Sequence, residues 1–164
     1  MRVTRLERET ADVVSLYLEP PDPASQPASQ PAGLPGQLLV LRLRTKPDGP
    51  TLLRNYSMSD MSGAGPYRVS VKREVNGAVS SFIHDHVHAG DVLEVSAPRG
   101  GFTLSSGDAP VVLLSAGIGA TPVLAMLHPL ASAASPREIW GIYGARNRAE
   151  HPFAKNHVDS CNPL

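Results

Sequence analysis

The sequence predicts an all-β, six-stranded antiparallel barrel of Greek-key type with one short helix, followed by the first βαβ unit of a Rossmann-like α/β domain. Three observations predict it. Up to about residue 107, short runs alternate apolar and polar residues, the period-two pattern of strands with one buried face. Among them lies one stretch whose apolar residues recur at helical spacing. From residue 111 the alternation stops, and a continuous apolar run leads into a glycine turn, a helical pattern and a second apolar run.

Residues 1–20 read as two short strands, with Val13, Val14, Leu16 and Leu18 partly alternating before Pro20 and Pro21. From Pro20 to Pro35 the chain runs PPDPASQPASQPAGLP, with a repeated PASQ. Proline removes backbone donors and little there can be buried, so a mobile loop is expected within the domain. Gln37–Arg44, Leu52–Ser59, Tyr67–Arg73 and Asp91–Ala97 supply the remaining barrel strands. Gly77–His88 reads as the helix, with Val79, Phe82, Ile83 and Val87 as its apolar stripe. Val111–Leu114 lacks alternation, as a strand covered on both faces does. A helix over about Thr121–Leu130 and a strand over Glu138–Tyr143 complete the βαβ unit. The expected domains are 1–107 and 108–164.

Composition removes several functions. Lysine plus arginine equals aspartate plus glutamate, 15 against 15, so no basic field exists to hold nucleic acid. The single cysteine, Cys161, cannot form an internal disulfide, which fits a cytoplasmic setting, and MRVTRLERET is too charged for a signal peptide. No charged residue lies between Asp108 and Arg137, a length sufficient for a bilayer. Pro110, Pro122, Pro129 and the Gly117/Gly119 pair break that stretch into strand, turn and helix, so no membrane span is expected.

Four clusters carry chemistry. Arg54-Asn55-Tyr56-Ser57 ends a strand; the guanidinium matches phosphate oxygens, and the tyrosine two residues on shares its face and offers a flat ring. A salt-bridged arginine beside a packed tyrosine explains that cluster equally well on its own. Gly77-Ala78-Val79-Ser80 opens the helix, where free amides bind phosphate or a serine merely caps. Pro98-Arg99-Gly100-Gly101-Phe102 closes the barrel. Ser115–Pro122 (SAGIGATP) joins strand to helix; its glycines let a dinucleotide approach, although proline stands where the full fingerprint has a third glycine. No acid ends the second strand, where YGARN stands instead.

In order and spacing, RNYSMSD, YRVSVKREVNGAVS, HAGDVLEVSAPRGGF, SAGIGATPVLAML and YGARN resemble the ferredoxin–NADP reductase superfamily. The likeness is nearest to the reductase modules of flavohaemoglobins and of phenol- or phthalate-type oxygenases. It implies that Arg54 binds the flavin pyrophosphate, that Tyr56 packs on the isoalloxazine and that Ser57 hydrogen-bonds near N5, the last two as catalytic residues. It places Val71, Lys72 and Arg73 along the flavin, and Gly77, Val79 and Ser80 at phosphate or ribityl groups. Gly117, Gly119, Thr121 and Pro122 would meet the nicotinamide dinucleotide, with Arg146 near its adenosine ribose. The implied cofactors are FAD, with FMN as the alternative, and NADH or NADPH. The implied activity passes hydride to the flavin and single electrons to an iron–sulfur or haem acceptor.

One departure stands out. A doubly wound nucleotide domain has five or six strands, whereas two can be read here, and Cys161 in DSCNPL does not match the family's later cysteine-glycine motif. A truncated chain is therefore expected, and a flavin-binding or interaction module without turnover is the alternative function. His84-Asp85-His86-Val87-His88 offers a third reading, a metal hydrolase. On a helix only His84 and His88 share a face, too few ligands for zinc, and a solvated helix surface is expected.

Overall fold

The computed structural model describes residues 1–21, 33–60, 65–132 and 135–153. The expected mobile loop over its PASQ repeats, and Cys161, lie outside the described residues. In chain order the elements are β1 (Arg2–Arg8), β2 (Val13–Glu19), β3 (Leu38–Arg44), β4 (Thr51–Asp60), β5 (Tyr67–Lys72), α1 (Ala78–His86), β6 (Glu94–Val95), β7 (Val111–Ala116), α2 (Ala120–Ser132) and β8 (Ile139–Gly144).

The first six strands form one antiparallel sheet in the order β1-β2-β5-β4-β3-β6. β3, β4 and β5 follow one another as neighbours and β2 lies beside β5, which is the Greek-key arrangement. The sheet closes where Val3 N–H donates to the Asp91 carbonyl (2.8 Å) and Leu93 N–H to that of Met1 (2.8 Å). That closure shortens the expected strand over Asp91–Ala97. Its first residues bond to β1, and from Glu94 the segment turns to β3, with Glu94 and Val95 in the ladder and Ser96 N–H donating to the Val40 carbonyl (3.0 Å). One segment serves two partners, so neither ladder grows long.

The alternating apolar residues fill the barrel: Val3, Leu16, Leu18, Leu39, Leu41, Met58, Val69 and Val71 are fully buried. Helix α1 lays Val79, Ile83 and Val87 onto that core, with Phe82 at its margin. Strand β5 departs from the one-face expectation. Arg68 and Ser70, on the face opposite Val69 and Val71, are also buried, at 4% exposure each. The reason is a cover from the C-terminal part of the chain. The Arg68 guanidinium lies 5.0 Å from the Phe153 ring centre and donates to Glu9 Oε1 at 2.5 Å.

Strands β7 and β8 pair in parallel from Val111↔Ile139 to Ala116↔Gly144. Helix α2 covers one face, packing Met126, Leu127 and Leu130 against Val111 and Leu113. The expected two-sided burial of β7 does not hold. Val112 and Leu114 are 63% and 70% exposed, beside exposed Trp140 and Ile142, because among the described residues α2 is the one helix on this sheet. No helix among the described residues is long and apolar enough to cross a membrane.

Helix α2 also docks on the barrel. His128 Nδ1 lies 2.8 Å from the Asp60 carboxylate at the end of β4. At Gly36, with φ +98°, any Cβ would run into the Phe102 carbonyl oxygen and Met126 Cε; Gly90, with φ +101°, faces open space. Both alanine variants carry backbone strain of roughly 1–3 kcal/mol, and only Gly36→Ala adds a collision at the docking face. Gly36→Ala should therefore lose more stability in denaturant unfolding than Gly90→Ala, and equal losses would contradict tight docking.

Candidate functional site at the seam of the barrel

Strand β4 pairs with β3 along Thr51–Ser57, but its pairing with β5 covers only Met58 and Asp60, with a register irregularity between them. Beyond Met58 the two strands part. The edge of β4 that faces β5 thus carries no ladder over Thr51–Ser57, and backbone groups there are open to a partner. The gap is a cleft of about 560 Å³, within the usual range for cofactor sites.

Four elements line it. Arg54, Asn55, Tyr56 and Ser57 form the β4 wall, and Ser70 and Lys72 form the β5 wall. The turn and first residues of α1 contribute Glu74, Asn76 and Gly77 through Ser80. The loop before α2 brings Ile118 and Gly119, and the helix itself Thr121 and Pro122. Residues up to 68 positions apart in sequence thereby share one surface.

Charge follows the same geometry. The Arg54 guanidinium donates to the neighbouring Leu53 carbonyl (2.7 Å) and has no carboxylate at salt-bridge distance among the described residues. Lys72 pairs loosely with Asp12 (3.5 Å). Neither α1 nor α2 has an acidic residue in its first turn, so two positive helix ends open on the cleft, and Glu74, in the turn before α1, is the carboxylate among the lining residues. This donor set suits a diphosphate. At Gly77, the N-cap of α1, a Cβ would collide with Ser80 Oγ. That hydroxyl accepts from Glu74 N–H (3.1 Å) and donates to the Gly77 carbonyl (3.2 Å), tying the turn down and leaving the helix amides forward.

Tyr56 is half-buried against the barrel core. Burial pushes its phenol above the ordinary value, and the charge of Arg54 opposes that shift. The salt-bridged-arginine reading of this cluster therefore lacks its salt bridge, while the tyrosine is packed as it required. Val71, Arg73 and Gly117 do not line the cleft. Val71 points its side chain into the core. Arg73 is held by Asp85 through two contacts of 2.7 Å, and the Gly117 carbonyl accepts the Tyr143 hydroxyl at 3.3 Å. Arg146 lies 3.4 Å from Glu150, outside the cleft. Sequence reasoning missed Ser70, Asn76 and Glu74. A serine in an alternating strand reads as solvated, and only the parting of β4 from β5 shows otherwise.

The histidine run is dispersed rather than gathered. His84 Nε2 meets the Val71 carbonyl (2.9 Å), Asp85 holds Arg73, and His86 packs on Phe82 at 5.2 Å between ring centres. Among the described residues no group of three or more such side chains is placed to hold a metal.

A Greek-key barrel with one open seam, bordered by two helix N-termini, the Arg54 guanidinium and a half-buried phenol, defines a class of protein with a rim site suited to an anionic, ring-bearing ligand. The chain belongs to the oxidoreductase FAD-binding domain family, whose pattern matches residues 3–104. It is 42% identical over 152 residues to a flavohemoprotein of Pseudomonas putida, an alignment covering 93% of this chain and 37% of that protein. The flavohem-like FAD/NAD-binding domain of nitric oxide dioxygenase from Vibrio cholerae superposes with a TM-score of 0.86 at 33% identity, over 96% of this chain and 67% of that one. Phthalate dioxygenase reductase, a modular structure for electron transfer from pyridine nucleotides to [2Fe-2S], gives 0.77 at 30% identity, over 96% of this chain and 46% of that one. The chain thus spans well under half the length of the curated relative.

The opposed influences on Tyr56 give a direct test. Arg54→Ala should raise the Tyr56 pKa further above the ordinary value of about 10, read by NMR titration of ring-labelled tyrosine with Tyr56→Phe for assignment. An unmoved titration would separate the two side chains.

Proposed function

We propose that residues 1–107 bind FAD in this cleft and that residues 108–164 form the first part of an NAD(P)-binding domain. Together they act as a reductase module that takes hydride from NADH or NADPH and passes single electrons to an iron–sulfur or haem acceptor. The observation that carries the reading is the meeting of the β4 rim, the α1 N-terminus and the loop before α2 on one cleft. A bound flavin supplies the exchange between two-electron and one-electron chemistry. The chain's own residues supply the rest. Arg54 and the amides at Ala78–Ser80 hold the pyrophosphate, Tyr56 offers its ring face, and the Ser57 hydroxyl stands at the rim to hydrogen-bond the reacting edge. Gly119, Thr121 and Pro122 bring the helix end to which a dinucleotide would be presented. FMN would use the same rim with fewer contacts.

The flavohaemoglobin and oxygenase-reductase likenesses support a haem or iron–sulfur partner. A second reading is flavin binding without turnover; the exposed Val112, Leu114, Trp140 and Ile142 on the parallel sheet, which has two strands among the described residues, are consistent with an interaction surface. Anaerobic addition of NADH or NADPH to the FAD-loaded chain distinguishes the two. Bleaching of the flavin band supports the reductase, and a yellow protein inert to both nucleotides supports the module. Arg54→Ala should weaken FAD binding by about 1.5–3 kcal/mol, through loss of a charge-assisted phosphate contact. Equal FAD affinity in wild type and variant would remove Arg54 from the site.

A further inference from the structure

A chain of buried hydroxyls runs from the cleft into the protein. Ser15 Oγ donates to Glu9 Oε1 at 2.6 Å and lies 2.7 Å from Ser70 Oγ, which lies 2.9 Å from Ser59 Oγ. All three serines are buried, at 0%, 4% and 0% exposure, and Ser70 alone among them lines the cleft. At the far end, Glu9 is paired with Arg68 at 2.5 Å, so its carboxylate only accepts.

Counting protons fixes the direction of every link. A serine hydroxyl has one proton and two lone pairs. The proton of Ser15 is spent on Glu9, so in the Ser15–Ser70 contact Ser70 must donate. With the Ser70 proton spent on Ser15, the Ser59–Ser70 contact requires Ser59 to donate; its other neighbour, the Arg68 carbonyl, is farther away at 3.4 Å. The order is Ser59 to Ser70 to Ser15 to the carboxylate. Ser70 is left with one lone pair and no proton to offer a ligand.

We infer that Ser70 is an acceptor-only specificity residue that reads a hydrogen-bond donor of the bound flavin, its polarity set by Ser15 and Glu9 from outside the cleft. This deepens the flavin reading and rests on it. The flavin offers two such donors, the ring imide N–H and the ribityl hydroxyls, and both present the same chemistry to Ser70. Ser15, which does not line the cleft, acts as a positioning residue.

The test measures binding of FAD, of an N3-methylated FAD and of ribityl-deoxy FADs to the full 164-residue chain and its variants. Ser70→Ala should weaken FAD binding about fivefold to tenfold while leaving unchanged the affinity for whichever analogue lacks the donor that Ser70 reads. Loss of that difference with the N3-methyl compound identifies the ring, and with a deoxy compound the ribityl chain. Ser15→Ala releases the Ser70 proton, so discrimination between FAD and that analogue should shrink although no cleft residue has changed. Thermal unfolding of each apo variant shows whether the fold is retained. Should one variant fail to fold, the other still reports. Equal loss for FAD and every analogue, or no loss for any, would overturn the inference. A wild-type chain that binds no FAD would instead overturn the flavin reading on which it rests.

Discussion

The structure turns on the place where β4 leaves β5. A closed antiparallel barrel satisfies its backbone groups within itself and has little to offer a ligand. Here the β4–β5 ladder stops at Met58, while β4 continues on β3 back to Thr51. The parted strands expose a backbone edge and leave a gap that side chains of the barrel do not fill. The residues that line the cleft all border that gap. Arg54 to Ser57 lie on the freed length of β4, Ser70 and Lys72 on the opposing wall, and α1 begins at its end.

The seam is held by contacts behind it. The outer face of β5 is covered and carries a polar layer, Arg68 with Glu9 and the linked hydroxyls of Ser15, Ser70 and Ser59. A buried ion pair contributes modestly to net stability, yet breaking one partner costs several kcal/mol. Such a layer is better at fixing a geometry than at stabilising a fold. Phe153 on Arg68, with His128 on Asp60, fastens the C-terminal elements to the same strands. The loop before α2 is thereby held at the cleft by packing on β4 and β5. Two helix ends then face one volume, an arrangement that favours anionic groups there without any cluster of lysines.

Much of this was legible in the sequence because each signal was local. Alternation in LLVLRLR and the stripe of Val79, Ile83 and Val87 report burial directly, and they place β3 and α1. RNYS lies along the freed length of β4 rather than at its end, GAVS lies at the start of α1, and their order along the chain marks the likeness that the family match supports. What the sequence hid depends on partners distant in the chain. Asp91–Ala97 has a strand pattern, but closure divides it between β1 and β3. The unbroken run of Val111–Leu114 suggests two covered faces, and covering is supplied by other elements rather than by the run. The resemblance places Val71 along the flavin with Lys72 and Arg73, while strand alternation sends its side chain into the core. Ser70 is hidden most thoroughly, since its role follows from a divergence of strands and from serines on two other strands, Ser59 and the distant Ser15.

The central claim is that the gap between β4 and β5 is where FAD binds. Hydrogen exchange of the full chain, recorded without and with FAD, tests it most directly. FAD in that gap slows exchange at the amides of Asn55–Ser57 and Ala78–Ser80 and leaves β1 unchanged. FAD taken up with those amides unaffected, and protection appearing elsewhere, would contradict it.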